Sequence, residues 1–274
     1  MMRDRILVLA TLVAGAAATA AIVLIPPIPL AFRSPASRLV IETATAIVTF
    51  LGAYLVYGRF REWGRLDDLL LAAGLGVLCA TVVVFSIVPT LAEFGGLRTW
   101  SALLGRILGA LLVAASAAMA PRRLSDPRRA ATVLLVSVGI ALSAVALVGS
   151  EFEPGPGADP LAAAPTDLLV LSYPLLGGTQ LAGMAIYVFA ALAFSRHETY
   201  ERDEFRRWLA VASSFSAVSF LNYALLPSLF NNFVYSGDLF RLLFSYLLLV
   251  GATRVIFAEW RNRAVLAVLK ERGR

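Results

Sequence analysis

Long apolar runs alternate with short polar segments along the whole 274-residue chain. A helix that crosses the hydrocarbon core of a bilayer needs about 20 predominantly apolar residues. Eight runs approach or exceed that length, at positions 6–25, 38–57, 69–92, 99–120, 130–150, 168–195, 207–227 and 239–259. The widest interval between them is much too short to form a core of its own. The pattern therefore predicts an all-α polytopic membrane bundle of about eight transmembrane helices.

Composition supports a membrane protein and narrows the chemistry. Hydrophobic residues make up 59% of the chain, charged residues only 15%, and the mean hydropathy is +0.79. Soluble domains have about 45–50% apolar and about 25% charged residues. The net charge of +6 comes from short basic runs between the spans, which is not the basic stripe of a nucleic-acid-binding protein. One cysteine and one histidine cannot form a usual zinc site, so we predict no metal. No nucleophile–base pair is visible within the membrane runs, so we predict no catalytic residue, and we expect no cofactor.

The basic residues also indicate how the bundle is oriented. Alternate connections, counted with both termini, hold 18 Lys and Arg residues, and the other connections hold only Arg33, Arg38 and Arg98. Cytoplasmic loops carry the excess of Lys and Arg, so both termini are predicted to be cytoplasmic. The membrane is expected to be the plasma membrane. The first run could be a cleaved signal peptide, but its 20-residue length favours an uncleaved helix.

Polar side chains inside the predicted spans mark a candidate site, because they are costly in hydrocarbon. They are expected in the outer half of five different helices. Two interpretations stay open: ion pairs that hold the bundle together, or an outward-facing pocket for a small ligand or a lipid headgroup. Asp238 and Arg241 are three residues apart and should pair, which leaves Glu42 for Arg106. The candidate ligand-binding residues are Glu42, Arg106, Gln180, Asn222, Tyr223, Asp238 and Arg241.

The last residues of the chain form a second unit in the sequence. We divide the chain into a transmembrane domain, 1–259, and an amphipathic cytoplasmic linker helix, 260–274. Apolar residues in the linker recur with a helical period, at Val265, Leu266, Val268 and Leu269. Such a helix could pair with a second copy as a coiled coil. It could equally lie on the headgroups of the membrane surface.

One segment resembles a known family. The stretch from 220 to 274 begins "FLNYALLPSLFNNFVYSGDLFRLL" and ends "LKERGR". It is similar to the last two membrane helices and exit linker of sensor histidine kinases of the type common in actinobacteria. About 50 residues carry this likeness, through Asn222, Tyr223, Pro227, Ser228, Gly237, Asp238, Arg241, Gly251 and Trp260.

The resemblance implies a role in signal transduction. The chain stops at Arg274, where the phospho-accepting helix of that family would begin. We therefore expect a sensory input module of a two-component system without kinase activity. Its expected partners are the lipid bilayer, a second copy bound through the C-terminal helix, and a downstream kinase core. The alternative is a permease-like protein that handles a small molecule or a lipid. We expect the inner halves of the helices to be apolar, which weighs against a polar path.

The orientation can be tested by labelling in intact cells. A cysteine introduced in the 151–167 segment, with Cys79 replaced by alanine, should react with a membrane-impermeant thiol reagent. A cysteine introduced in the 122–129 segment should react only after the membrane is opened. The opposite labelling pattern would show that the termini face outward.

Overall fold

The computed structural model describes residues 2–24, 31–88, 100–120, 122–151, 174–196, 204–225 and 233–272. Within these ranges the chain forms eight α-helices, the third of which continues as a π-helical segment, Val83–Ile87. With that continuation, each of the eight has a stretch long and apolar enough to cross a membrane. The predicted all-α bundle is therefore confirmed. The helices are α1 (Met2–Leu24), α2 (Pro35–Trp63), α3 (Leu66–Val82), α4 (Trp100–Ala118), α5 (Pro127–Glu151), α6 (Pro174–Arg196), α7 (Glu204–Leu225) and α8 (Ser236–Arg272).

Several sequence features lie outside these ranges. They include Arg98, all but the first residue of the 151–167 connection, and Pro227 and Ser228 of the family resemblance. The side chains of the linker apolar positions, from Val265 to Leu269, are also outside the described part of the structure.

Local sequence signals explain how α2 begins and ends. The Ser34 hydroxyl accepts a hydrogen bond from the backbone N–H of Ser37 at 3.3 Å, which caps the helix start. At the other end Gly64 adopts a left-handed conformation with φ of 63°. Its N–H donates to the carbonyl of Phe60 at 2.7 Å, so the last turn is closed by a glycine cap. The chain then enters α3 after only one further residue, Arg65, which places α2 and α3 side by side.

Two short strands, which the sequence analysis did not predict, pair at the predicted outer end of the bundle. Strand β1 (Ala31–Arg33) runs antiparallel to β2 (Phe233–Tyr235), with Phe32 opposite Val234. Three-residue strands are too short to show a period-two pattern in the sequence. Their pairing ties the connection before α2 to the residues that open α8.

Helix α7 lies at the centre of the bundle and packs against α1, α6 and α8. Helix α4 joins α3 to α6, and α2 packs between α3 and α8. Helix α5 is peripheral. It contacts α3 and α4, and no residue of its most apolar 18-residue window is buried. Large apolar side chains on its surface, such as Leu135 and Ile140, are therefore exposed where lipid would surround the bundle.

Small residues let α3 and α4 approach closely. A Cβ atom added to Gly74 would lie 3.1 Å from the backbone oxygen of Gly109, and one added to Gly109 would lie 3.2 Å from the backbone oxygen of Gly74. In a bilayer, helices gain little from apolar burial against each other, and close backbone packing is a main source of association. This pair of glycines therefore positions α4, which carries Arg106.

Helix α8 is continuous across the predicted boundary between the transmembrane domain and the linker. It extends over 37 residues, from Ser236 to Arg272, with no break near 259. At about 1.5 Å rise per residue this is roughly 55 Å, well beyond a hydrocarbon core of about 30 Å. The linker is thus helical, and it is an extension of the last span.

We predict that Gly74→Ala destabilises the bundle by about 1–3 kcal/mol, because the new methyl group overpacks the α3–α4 contact. Gly76→Ala is the matched control, since a Cβ there meets nothing within 4 Å. The control should leave stability unchanged or raise it slightly through helix propensity. Thermal unfolding in detergent measures both variants. Equal midpoints for the two would contradict close packing at Gly74.

Candidate functional site

Six of the seven candidate residues lie at one end of the bundle, and Arg38 joins them there. We call this set the outer cluster, after its predicted orientation. Four of its ionisable side chains come from three helices and are almost completely buried, with Glu42 2%, Arg106 6%, Asp238 7% and Arg241 9% exposed. The members of the outer cluster are Arg38, Glu42, Arg106, Asn222, Tyr223, Asp238 and Arg241.

Asp238 is the best-connected member of the outer cluster. One carboxylate oxygen, Oδ1, accepts a hydrogen bond from the Tyr223 hydroxyl, and Oδ2 accepts one from the backbone N–H of Tyr235 at 3.0 Å. Nη2 of Arg241 lies 3.3 Å from Oδ1. The predicted pairing of Asp238 with Arg241 is therefore confirmed. The same carboxylate also links α7 and strand β2 to the first turn of α8.

Glu42 has an ion-pair partner that the sequence analysis overlooked. Arg38 lies one turn earlier on α2, and its Nε and Nη2 atoms are 3.2 and 3.3 Å from Oε1 of Glu42. The sequence analysis, which reserved Glu42 for Arg106, omitted this neighbour because it counted Arg38 as a loop residue. The guanidinium of Arg106 lies over the ring of Tyr223, 5.4 Å from its centroid. Arg106 still interacts electrostatically with Glu42, Asp238 and Arg241.

Asn222 serves as a structural link. Its amide nitrogen donates to the Thr19 hydroxyl of α1 at 2.8 Å and to the carbonyl of Val218 at 2.9 Å. Its amide oxygen accepts from the Ser236 hydroxyl at the start of α8, at 2.6 Å. Both ends of the side chain are thus used in joining α1, α7 and α8. Asn222 is therefore poorly suited to bind a ligand as well.

Gln180 is the one candidate that the structure does not join to the others. It lies on α6 and is fully buried. Neither atom of its amide makes a hydrogen bond within the described part of the chain. Nor does Gln180 line the cavity beside the outer cluster. Its grouping with the cluster stays a prediction that rests on depth alone.

A small cavity lies directly beside the outer cluster. Its volume is about 30 Å³. A few tens of cubic ångströms hold a small number of water molecules, whereas sites for organic ligands measure about 300–1,000 Å³. The cavity is thus too small for the lipid headgroup that the sequence analysis considered. Polar groups from α2, α4, α6, α7 and α8 line it, among them Thr45, Thr49, Arg106, Tyr187, Tyr223, Arg241 and Ser245.

A second charged cluster, at the opposite end of the bundle, was missed by the sequence analysis. Asp67 and Asp68, in the first turn of α3, are 4% and 3% exposed, and Arg206 of α7 is 5% exposed. These three residues lie just outside the predicted spans 69–92 and 207–227, so the sequence analysis did not count them among the polar side chains of the helices. We call the set Arg59, Arg65, Asp67, Asp68 and Arg206 the inner cluster.

Ion pairs across three helices connect the inner cluster. Asp67 Oδ2 lies 2.6 Å from Nη2 of Arg65 and 3.1 Å from Nη2 of Arg206. Asp68 Oδ1 lies 3.3 Å from Nη2 of Arg59. The guanidinium of Arg59 also lies over the ring of Phe205, 4.8 Å from its centroid. The attraction between each carboxylate and its guanidinium partners offsets much of the free-energy cost of removing these charges from water.

Backbone hydrogen bonds extend the inner cluster into the neighbouring connection. The N–H of Leu66 donates to the carbonyl of Arg122 at 3.0 Å, and the N–H of Leu124 donates to the carbonyl of Gly64 at 2.9 Å. The Ser116 hydroxyl of α4 donates to the backbone carbonyl of Asp67 at 2.9 Å. The inner cluster therefore connects α2, α3, α4 and α7. The adjacent Asp-Asp at the start of a span was the sequence signal that could have revealed it.

Comparison with protein-family models, curated proteins and solved structures gave no match to this chain. The function must therefore be argued from its own residues and their geometry.

We predict that Asp67→Asn destabilises the bundle by about 3 kcal/mol or more, because it removes a buried carboxylate shared by two guanidinium groups. The matched control is Glu204→Gln, which breaks an exposed pair with Arg254 in which the two charged atoms are 3.8 Å apart. Exposed pairs contribute at most about 1 kcal/mol, so the control should unfold close to the wild type. Denaturant unfolding in detergent compares them. Similar stabilities for both variants would show that the inner cluster is not a structural anchor.

Proposed function

We propose that this chain is a sensory input module of the plasma membrane, in which α8 transmits a change in the outer cluster to the cytoplasmic side. One observation carries this proposal. A single helix of 37 residues holds Asp238 and Arg241 in its first two turns and ends at Arg272. Because an α-helix is stiff along its axis, a displacement of its first turn can be passed to its far end.

The contacts at the top of α8 support this role. Besides the bonds to Asp238, the Ser219 hydroxyl of α7 donates to the carbonyl of Gly237 at 2.7 Å. One turn below Arg241, the hydroxyls of Ser245 and Thr49 share a hydrogen bond of 2.8 Å, which joins α8 to α2. Directional contacts of this kind exist in a few discrete arrangements. Changing one of them therefore alters the position preferred by the helix, as a switching element requires.

The likeness to sensor histidine kinases supports the same conclusion from the sequence side. The residues that carry it include Asp238 and Arg241, which are also the residues that anchor α8. In a signalling protein the extension of α8 would pair with a second copy as a parallel helix. We therefore propose a homodimer formed through residues 255–271, whose downstream partner is a kinase core. The permease-like alternative instead predicts solute uptake and no such pairing.

Cysteine crosslinking in native membranes tests the pairing. Single cysteines are placed along 255–271 in a Cys79→Ala background. Disulfide formation between copies should peak every three to four residues, because one face of each helix meets its partner. A flat profile would contradict the dimer and favour a helix on the membrane surface.

Coupling between the outer cluster and the tail is tested with Tyr223→Phe. This change removes the hydroxyl that donates to Asp238 and keeps the aromatic ring. We expect it to shift the positions or heights of the crosslinking peaks. Tyr246→Phe is the matched control, since Tyr246 lies on α8 itself and is 56% exposed. A profile that Tyr223→Phe leaves unchanged would contradict transmission through α8.

A further inference from the structure

The cavity beside the outer cluster is rich in hydrogen-bond donors. Arg241 lines it and is 9% exposed, and the Nε, Nη1 and Nη2 atoms of its guanidinium make no hydrogen bond within the described residues. The ion pair with Asp238 brings one nitrogen close to a carboxylate without completing a hydrogen bond. A buried guanidinium group whose donors are unused is costly in a low-dielectric interior.

A pair of hydroxyl groups adds one more donor. Thr49 and Ser245 both line the cavity and are hydrogen-bonded to each other at 2.8 Å. Whichever of the two donates in that bond, the other keeps its own hydrogen. That hydrogen is available to a group inside the cavity. The same pair connects α2 to α8, so an occupant of the cavity would contact both helices.

Charge favours a negative occupant. Among the described residues, the outer cluster contains the guanidinium groups of Arg38, Arg106 and Arg241 and the carboxylates of Glu42 and Asp238. Both arginines that line the cavity are cations, and no carboxylate is among the described residues that line it. A guanidinium group can only donate hydrogen bonds. Among the described lining residues a metal cation would therefore meet guanidinium groups and no carboxylate, whereas an anion could accept hydrogen bonds from the unused donors of Arg241.

We propose that the cavity is a binding site for a small monovalent inorganic anion, of which chloride is the test case. The volume of about 30 Å³ admits an ion of that class and excludes organic anions such as gluconate. Arg241 supplies the charged donors, Arg106 adds positive charge, and the hydroxyl pair supplies a neutral donor. The inference deepens the proposed function, on which it rests, by naming the chemical class of the signal.

Chloride binding can be measured on the whole protein in nanodiscs by the excess line width of the chloride-35 NMR signal. Sodium gluconate keeps the ionic strength constant. The wild type should broaden the signal, and bromide or nitrate should reverse the broadening by competition. Sulfate, which is larger and divalent, should compete far less. Broadening no greater than that of protein-free nanodiscs would mean that only water occupies the cavity, and it would overturn the proposal.

Three variants locate the site. Arg241→Gln should abolish the competed broadening. The double change Thr49→Val with Ser245→Ala, which removes both hydroxyls of the pair, should weaken chloride binding about tenfold or more. Arg254→Gln is the matched control, because Arg254 is on the same helix and its side chain is 63% exposed. If Arg241→Gln does not fold, the double variant still decides the matter. Wild-type binding in the double variant, or equal losses in Arg254→Gln, would overturn the assignment.

The anion site and the sensory role can fail separately. Chloride should shift the crosslinking profile of the tail in the wild type if the anion is the signal. Binding without such a shift would leave the site standing and contradict the signalling role. A tail that responds to Tyr223→Phe while no chloride binds would leave the role standing and remove the anion.

Discussion

Charge buried between helices in a low-dielectric solvent must be balanced by other charges or by hydrogen bonds, and both ends of this bundle are built on that requirement. Lipid gives apolar helices little reason to associate, so polar contacts and small-residue packing decide which helices meet. The inner cluster joins α2, α3 and α7 through Asp67 and Asp68. The outer cluster anchors the beginning of α8 through Asp238. These contacts at the two ends therefore largely determine which helices are neighbours in the apolar middle of the bundle.

The two clusters satisfy their charges to different degrees. In the inner cluster, Asp67 is held by two arginines, and the surrounding backbone is hydrogen-bonded to the connection at Arg122. Such a network is rigid, because moving any member breaks several bonds. In the outer cluster, the three nitrogens of Arg241 have unused hydrogen-bonding capacity beside a cavity. The outer end can therefore gain a partner, whereas the inner end serves as a fixed base.

Helix α8 is placed to make use of that difference. Its first turns contribute Asp238 and Arg241 to the outer cluster, and its middle packs against α7, where Gly251 lies under Trp208. A Cβ at Gly251 would come within 2.5 Å of the Trp208 Cβ, so the two helices are in close contact there. An altered polar contact at the top would thus act on a helix that is guided by close packing farther down.

The sequence predicted those parts of the site whose interacting residues lie close together along the chain. Asp238 and Arg241 share a helical face because they are three residues apart, so their pair was predictable. Depth counting brought Glu42, Arg106, Tyr223 and Asn222 to the same end of the bundle. It gave no rotation about each helix axis. It therefore could not show that the Gln180 amide makes no hydrogen bond among the described residues, or that Asn222 donates to Thr19. Arg38 was missed because it lies at the edge of an apolar run and was counted with the preceding loop. In the structure α2 begins three residues before it, at Pro35.

The sequence by itself determined the eight spans and the all-α class. A run of about 20 apolar residues is long enough to cross the hydrocarbon core, and a backbone in hydrocarbon must satisfy its own hydrogen bonds, which a helix does. It also located the polar residues by depth. The tertiary structure alone decided which helices are neighbours, through contacts such as Gly74 with Gly109 and Asp67 with Arg206. It likewise decided the pairing of β1 with β2 and the presence of a cavity at Arg241. These features join residues tens to hundreds of positions apart, and the hydropathy of a single helix does not encode which face of another helix it will meet.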